Sequence, residues 1–146
     1  MTIRTLLATA VLGLSLGLSA VPAQADGGNV VRLDQWGMRN EAGLGQGGAR
    51  NRLSVTQEGY GNSTIATQDG ARNRTVVGQT GAYNRSTTSQ AGRCNVLGVA
   101  QFGSGNDVDV DQAGRCNALG VIQTGRNGHA EARQYGRGNV AVIVQD

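Results

Sequence analysis

The sequence predicts an all-β fold, a two-sheet β-solenoid of 22-residue strand-arc-strand coils. Three observations carry that prediction. Glutamine recurs every eleven residues without a slip, at Gln35, Gln46, Gln57, Gln68, Gln79, Gln90, Gln101, Gln112, Gln123, Gln134 and Gln145. Glycine stands two residues after each of the first ten, from Gly37 to Gly136. Asparagine stands six residues before almost every one, at Asn29, Asn40, Asn51, Asn62, Asn73, Asn84, Asn95, Asn106, Asn117 and Asn139. The single failure is Gly128, where the asparagine has moved to Asn127. A fixed period of this kind marks a repeat architecture and is not required of a disordered chain.

The chain of 146 residues divides into two parts. Arg4, an apolar run from Leu6 to about Val21 and the small-x-small site Ala23-Gln24-Ala25 have the layout of a secretory signal peptide over residues 1–25. The run is short for a membrane span, so none is expected in the mature chain. Residues 26–146 form the repeat domain of eleven strands, about five and a half coils.

Composition excludes an ordinary globule. The mature part has five aromatic residues (Trp36, Tyr60, Tyr83, Phe102 and Tyr135), the only proline is Pro22, and all 13 basic side chains are Arg. Too few large apolar residues remain for a conventional core, which leaves stacking of small residues as the route to burial. The formal net charge of +3 does not by itself imply nucleic acid.

Each unit reads Asn-x-φ-x-φ-x-Gln-x-Gly-x-x, with φ small or apolar. Asn to Gln is a period-two segment and hence a strand, most clearly in Asn106-Asp-Val-Asp-Val-Asp-Gln112. The glycine between strands supplies the positive φ that a tight arc needs. Charge tests the assignment. None of the 22 φ residues is charged, whereas 11 of the 33 intervening residues are, so one face is the interior and the other faces out. One unit cannot bury its own inner face, but two back to back can, which doubles the period to 22. Asn and Gln at fixed heights are then expected to form ladders, each side-chain amide bonded to its copy ~4.8 Å above and below.

At a spacing of 22 the two sheets differ. Strands starting at 29, 51, 73, 95, 117 and 139 acquire an apolar outer face toward the C-terminus, with Val96, Ala118, Ile122, Val140, Val142 and Val144. Strands starting at 40, 62, 84, 106 and 128 are polar outside, where Asp107, Asp109 and Asp111 act as gatekeepers against sideways aggregation. One edge carries Arg50, Arg72, Arg93, Arg115 and Arg137; the other carries Trp36, Tyr60, Tyr83 and Phe102. A row of Arg repels itself unless anions lie beside it, which suggests acidic polysaccharide, DNA or surface phosphate; the alternative is a solvated, solubilising edge. Cys94 and Cys116, each in Ala-Gly-Arg-Cys-Asn, should stack on neighbouring coils within disulfide range, although parallel side chains orient poorly for a bridge. A bridge and free thiols both stay open. The last strand, Asn139 to Gln145, is apolar on both faces and offers an uncapped edge that would template another chain.

Enzymatic chemistry finds no support. No catalytic, cofactor-binding or metal-ligating set stands out: His129 is the sole His, two Cys are too few for zinc, and the GxGxxG at Gly43 to Gly48 precedes no helix. A monomeric secreted solenoid binding a surface or polyanion is the main rival. A flat ligand face would need a regular row, and Thr64, Thr75 and Thr88 are scattered.

These residues resemble the curlin repeat of bacterial curli fibre subunits, Ser-x5-Gln-x-Gly-x-x-Asn-x5-Gln, as in Gln57-Glu-Gly59-Tyr-Gly-Asn62 through Gln68. The resemblance extends over residues 29–145. It implies a subunit exported across the outer membrane that polymerises outside the cell into cross-β amyloid through its Gln and Asn positions. It further implies a biofilm-matrix or adhesive role, and as partners a second curlin subunit and the curli secretion and nucleation machinery. Two features depart from the family pattern: Asn opens nearly every strand where family coils often alternate Ser with Asn, and the repeats start almost directly after residue 25. The choice between major subunit and nucleator stays open.

Overall fold

The computed structural model describes residues 27–146. The signal peptide expected over residues 1–25 lies outside them. Strands follow one another as β1 (Val30–Met38), β2 (Glu41–Gln46), β3 (Arg52–Tyr60), β4 (Ser63–Ala71), β5 (Arg74–Ala82), β6 (Arg85–Arg93), β7 (Val96–Ser104), β8 (Asp107–Arg115), β9 (Ala118–Arg126), β10 (His129–Arg137) and β11 (Val140–Gln145).

Odd strands form one parallel sheet in the order β1-β3-β5-β7-β9-β11, and even strands a second in the order β10-β8-β6-β4-β2. Every pair is offset by 22 residues, as in Gln57↔Gln79 and Gln90↔Gln112. The chain is thus the two-sheet β-solenoid that the repeat predicts, and eleven residues are half a coil.

The two sheets face each other across one thin core. Leu53, Val55, Ala66, Val77, Leu97, Val99, Val108, Val110, Leu119, Val121 and Ala130 are buried there, all at φ positions. Each fully buried Leu or Val contributes ~1.5–3 kcal/mol. Polar residues share the core: Thr64, Thr75, Ser86 and Thr88 are buried in the same columns.

Each arc bends twice. Its first corner is the glycine after Gln. At Gly103 φ is +121°, and an added Cβ would strike the carbonyl oxygen of Gly125 on the next coil, so both conformation and stacking demand glycine. The second corner, two residues later, also takes positive φ, but there the residue varies: Arg39, Arg50, Arg72, Tyr83, Cys94, Cys116 and Asn127 all lie at φ 53–63°. Asn127 therefore fills an arc corner, one of the few places where Asn is at ease. This is why the Asn pattern fails at Gly128 while the β10 register to β8 is intact.

Candidate functional site: amide ladders, open ends and the Arg edge

Gln side chains run through the core as two unbroken chains of hydrogen bonds. In the odd sheet each Nε2 donates to the Oε1 of the Gln 22 residues on, from Gln35 through Gln57, Gln79, Gln101 and Gln123 to Gln145, at 2.6–3.0 Å. The even sheet runs likewise from Gln46 through Gln68, Gln90 and Gln112 to Gln134, at 2.7–2.9 Å. Most of these amides also reach across the core to a backbone carbonyl of the facing sheet, for example Gln57 to Glu41 at 2.9 Å and Gln101 to Arg85 at 2.9 Å. Each of those rungs therefore holds register along a sheet and clasps the two sheets together.

The Asn positions work differently from the expected amide-to-amide ladder. Asn62 and Asn84 alone donate to the Asn amide oxygen of the preceding coil, at 3.2 and 3.1 Å. Elsewhere the Asn Oδ1 accepts the backbone N–H of the residue 22 places on, as Asn51 does from Asn73 at 2.9 Å. Its Nδ2 donates to the carbonyl four residues back and to an arc glycine carbonyl of the next coil, as Asn51 does to Gly47 at 2.7 Å and Gly70 at 3.1 Å. Asparagine thus adds a second donor to arc carbonyls: Gly70 O accepts the Ala49 N–H at 2.9 Å as well as the Asn51 amide. At Gly128 the N–H still donates to Asn106 Oδ1 at 3.0 Å, but the side chain that would pass the contact on is missing.

Both ends of the described solenoid expose core columns. At one end Val31 and Leu33, which occupy φ positions on β1, are 47 % and 41 % exposed. At the other, β11 pairs with β9 only: its φ residues Ala141 and Ile143 are exposed and half-buried, and its outer-face Val140, Val142 and Val144 stand out at 67–77 %. Sequence reasoning marked residues 139–145 alone; the β1 end was legible in Val31 and Leu33, which form the first φ pair of the repeat.

The Arg edge is built otherwise than a single row. Arg93, Arg115 and Arg137 are in register. Arg50 and Arg72 occupy the second arc corner, one residue further on, and the coils above place Cys94 and Cys116 at that corner. Arg52 and Arg74, which open β3 and β5, join the cluster: Arg50, Arg52, Arg72 and Arg74 line one surface hollow of ≈ 390 Å³ with Asn73, Cys94 and Val96. Their signal in the sequence is Arg-Asn-Arg at 50–52 and 72–74. None of these seven Arg makes an ion pair; among the described residues the pairs are Arg32–Asp34, His129–Asp107 and Arg133–Glu131.

The opposite edge carries the aromatic residues. Tyr60 and Tyr83 meet edge to face at 5.4 Å, and Arg39 lies 5.4 Å from the centre of the Tyr60 ring. Trp36, Tyr83 and Phe102 are exposed. Tyr135 sits on the Arg edge and donates to Asp111 Oδ2 at 2.6 Å, a bond that raises the phenol's pKa above its ordinary value. Cys94 and Cys116 are both free and exposed.

Fold and ladders define a class: a parallel β-solenoid whose coils are locked by stacked side-chain amides, with no helix among the described residues long and apolar enough to cross a membrane. Residues 28–59 match the family model described as the curlin associated repeat. This match is consistent with a curlin family member, and the eleven-residue unit continues in register to Gln145. No curated protein matches the chain.

Proposed function

We propose that this chain is a structural subunit of an extracellular curli-type amyloid fibre, built for biofilm matrix and adhesion. One observation carries the reading: both Gln ladders end in amides with an unused half. Among the described residues, Gln35 and Gln46 offer Oε1 at one end, and the Nε2 of Gln134 and Gln145 meets no further Gln at the other. A second copy supplies the missing rung, covers Val31 and Leu33, and pairs with β11, so addition of a copy repeats bonds already made nine times within the chain. Edge strands with such unpaired backbone template further chains. Partners of this reading are the chain itself, a second curlin subunit, and the machinery that exports and nucleates curli.

Incubating the purified mature chain, residues 26–146, tests it. Fibres with a ~4.8 Å meridional cross-β reflection that bind thioflavin are expected. A chain that stays monomeric at high concentration would overturn the reading in favour of a soluble ligand-binding solenoid.

The seven unpaired Arg favour one further function, capture of a matrix polyanion such as acidic polysaccharide or DNA. A DNA oligomer is the probe: binding should weaken steeply with salt, with log K falling by about 0.9 per phosphate contact for each unit of log salt. Replacing Arg50, Arg52, Arg72, Arg74, Arg93, Arg115 and Arg137 with Gln should flatten that slope and abolish low-salt binding. An unchanged salt profile means a merely solvated edge.

A further inference from the structure

We propose that Cys94 and Cys116 form a two-thiolate site for one soft, two-coordinate d10 cation of the Cu(I) or Ag(I) class. The two residues hold the same arc corner on successive coils, at φ 63° and 53°. Their N–H groups make equivalent bonds, Cys94 to Ala71 O at 3.0 Å and Cys116 to Arg93 O at 2.9 Å. One is therefore a copy of the other displaced along the solenoid axis by the inter-strand spacing, ~4.8 Å.

That spacing is wide for a disulfide and right for a bridging ion. A disulfide draws its Cβ atoms to ~3.5–4.5 Å, but translated copies keep them near ~4.8 Å, and the backbone bonds on both corners oppose the approach. Both thiols are free in the structure. A metal–thiolate bond is about 2.3 Å, taking the zinc value, so an ion between two sulfurs holds them ~4.6 Å apart. Thiolates are soft ligands that suit Cu(I), zinc and Fe–S clusters. No third ligand is at hand, since no group of three or more His, Cys, Asp or Glu that could hold an ion occurs among the described residues. That disfavours tetrahedral zinc and suits a linear site.

The surroundings supply the compensating charge. Two thiolates and one univalent cation carry a net charge of −1. Arg72, Arg93 and Arg115 line the same surface hollow of ≈ 290 Å³ as the two Cys, and none is neutralised by a carboxylate. The thiols also sense each other: hydrogen bonding with Cys116 is the main cause that pushes the Cys94 thiol up, while Arg72 and Arg93 pull it down. The cation replaces the two thiol protons. Two S–H bonds break, two metal–sulfur bonds form, two protons leave to water, and no electrons are transferred.

The site belongs to the coil and does not depend on fibre assembly, so monomer and fibre should behave alike. The test titrates the reduced mature chain with silver nitrate under exclusion of oxygen, in chloride-free buffer. One Ag(I) per chain is expected, with two protons released and both thiols lost to a thiol reagent. Cys94→Ser and Cys116→Ser should each weaken binding more than about 100-fold, beyond the loss usual for removal of an outer-shell partner. Their far-ultraviolet circular dichroism should remain that of the parent, since the arc corner accepts residues as different as Arg, Tyr and Asn. Arg93→Gln with Arg115→Gln should weaken Ag(I) binding at low salt more than at high salt. Half an ion per chain, either Ser variant binding as tightly as the parent, or a chain isolated with Cys94 and Cys116 already bridged would overturn the proposal.

Discussion

Two neighbouring stretches of the core fill the same space with opposite chemistry. Across β7, β8 and β9 the inner positions are Leu97, Val99, Val108, Val110, Leu119 and Val121; across β4, β5 and β6 they are Thr64, Ala66, Thr75, Val77, Ser86 and Thr88. All are buried, and the 22-residue register is identical through both. The coil geometry therefore does not depend on what fills it. It is set by what both stretches share, the Gln rungs and the arc glycines, while the filling decides how much each coil contributes to stability. The hydroxyls divide further. Thr64 donates to Gln79 Oε1 at 2.9 Å and Thr75 to Gln90 Oε1 at 2.8 Å, splicing themselves into the ladder. Ser86 and Thr88 have no partner for theirs.

The largest effect should come from emptying the apolar stretch. Leu97 is 1 % exposed and stacks in register between Thr75 and Leu119. Leu97→Ala should cost about 2–5 kcal/mol, the transfer of the side chain plus the cavity it leaves. The neighbouring coils are pinned by backbone and Gln bonds and cannot close over the gap. Guanidinium denaturation of the soluble mature chain measures this, before assembly begins. A loss under about 1 kcal/mol would mean that the ladders alone carry these coils and that the filling is incidental.

Much of this core was legible in the sequence, because an unbroken Gln period fixes register and an uncharged φ column fixes which face is inside. Less legible was whatever depends on an arc's second corner. Its φ is imposed by the bend, and the residue there (Arg50, Tyr83, Cys94 or Asn127) shows no common preference that could announce it. The Arg edge was misjudged as one row for that reason: Arg50 and Arg72 stand on the corner, but from Arg93 on the basic residue precedes it and Cys or Gly takes the corner. The role of Asn was also hidden. An amide at a strand start can bond its copy or the bend's backbone, and only the three-dimensional path of the arc decides between them. The resemblance to the curlin repeat does not distinguish these roles.

The smallest effect runs in the opposite direction and sharpens the contrast between the two fillings. Thr88→Val keeps the branched shape and deletes an unpaired buried hydroxyl, and Ser86→Ala deletes another. Replacing a buried polar group that has no partner with an apolar one of similar shape removes a desolvation penalty of ~1–3 kcal/mol. The gain is partly offset for Ser86→Ala, which leaves a slightly smaller side chain. The double variant should therefore be about 1–2 kcal/mol more stable than the parent, read as a higher guanidinium midpoint with an unchanged slope. The same exchange at Thr75 should not stabilise, because its hydroxyl both donates to Gln90 and accepts from Gln68 at 3.0 Å. If Thr88→Val and Thr75→Val shifted the midpoint equally, the ladder would be indifferent to the hydroxyls, and the two kinds of polar filling would be one.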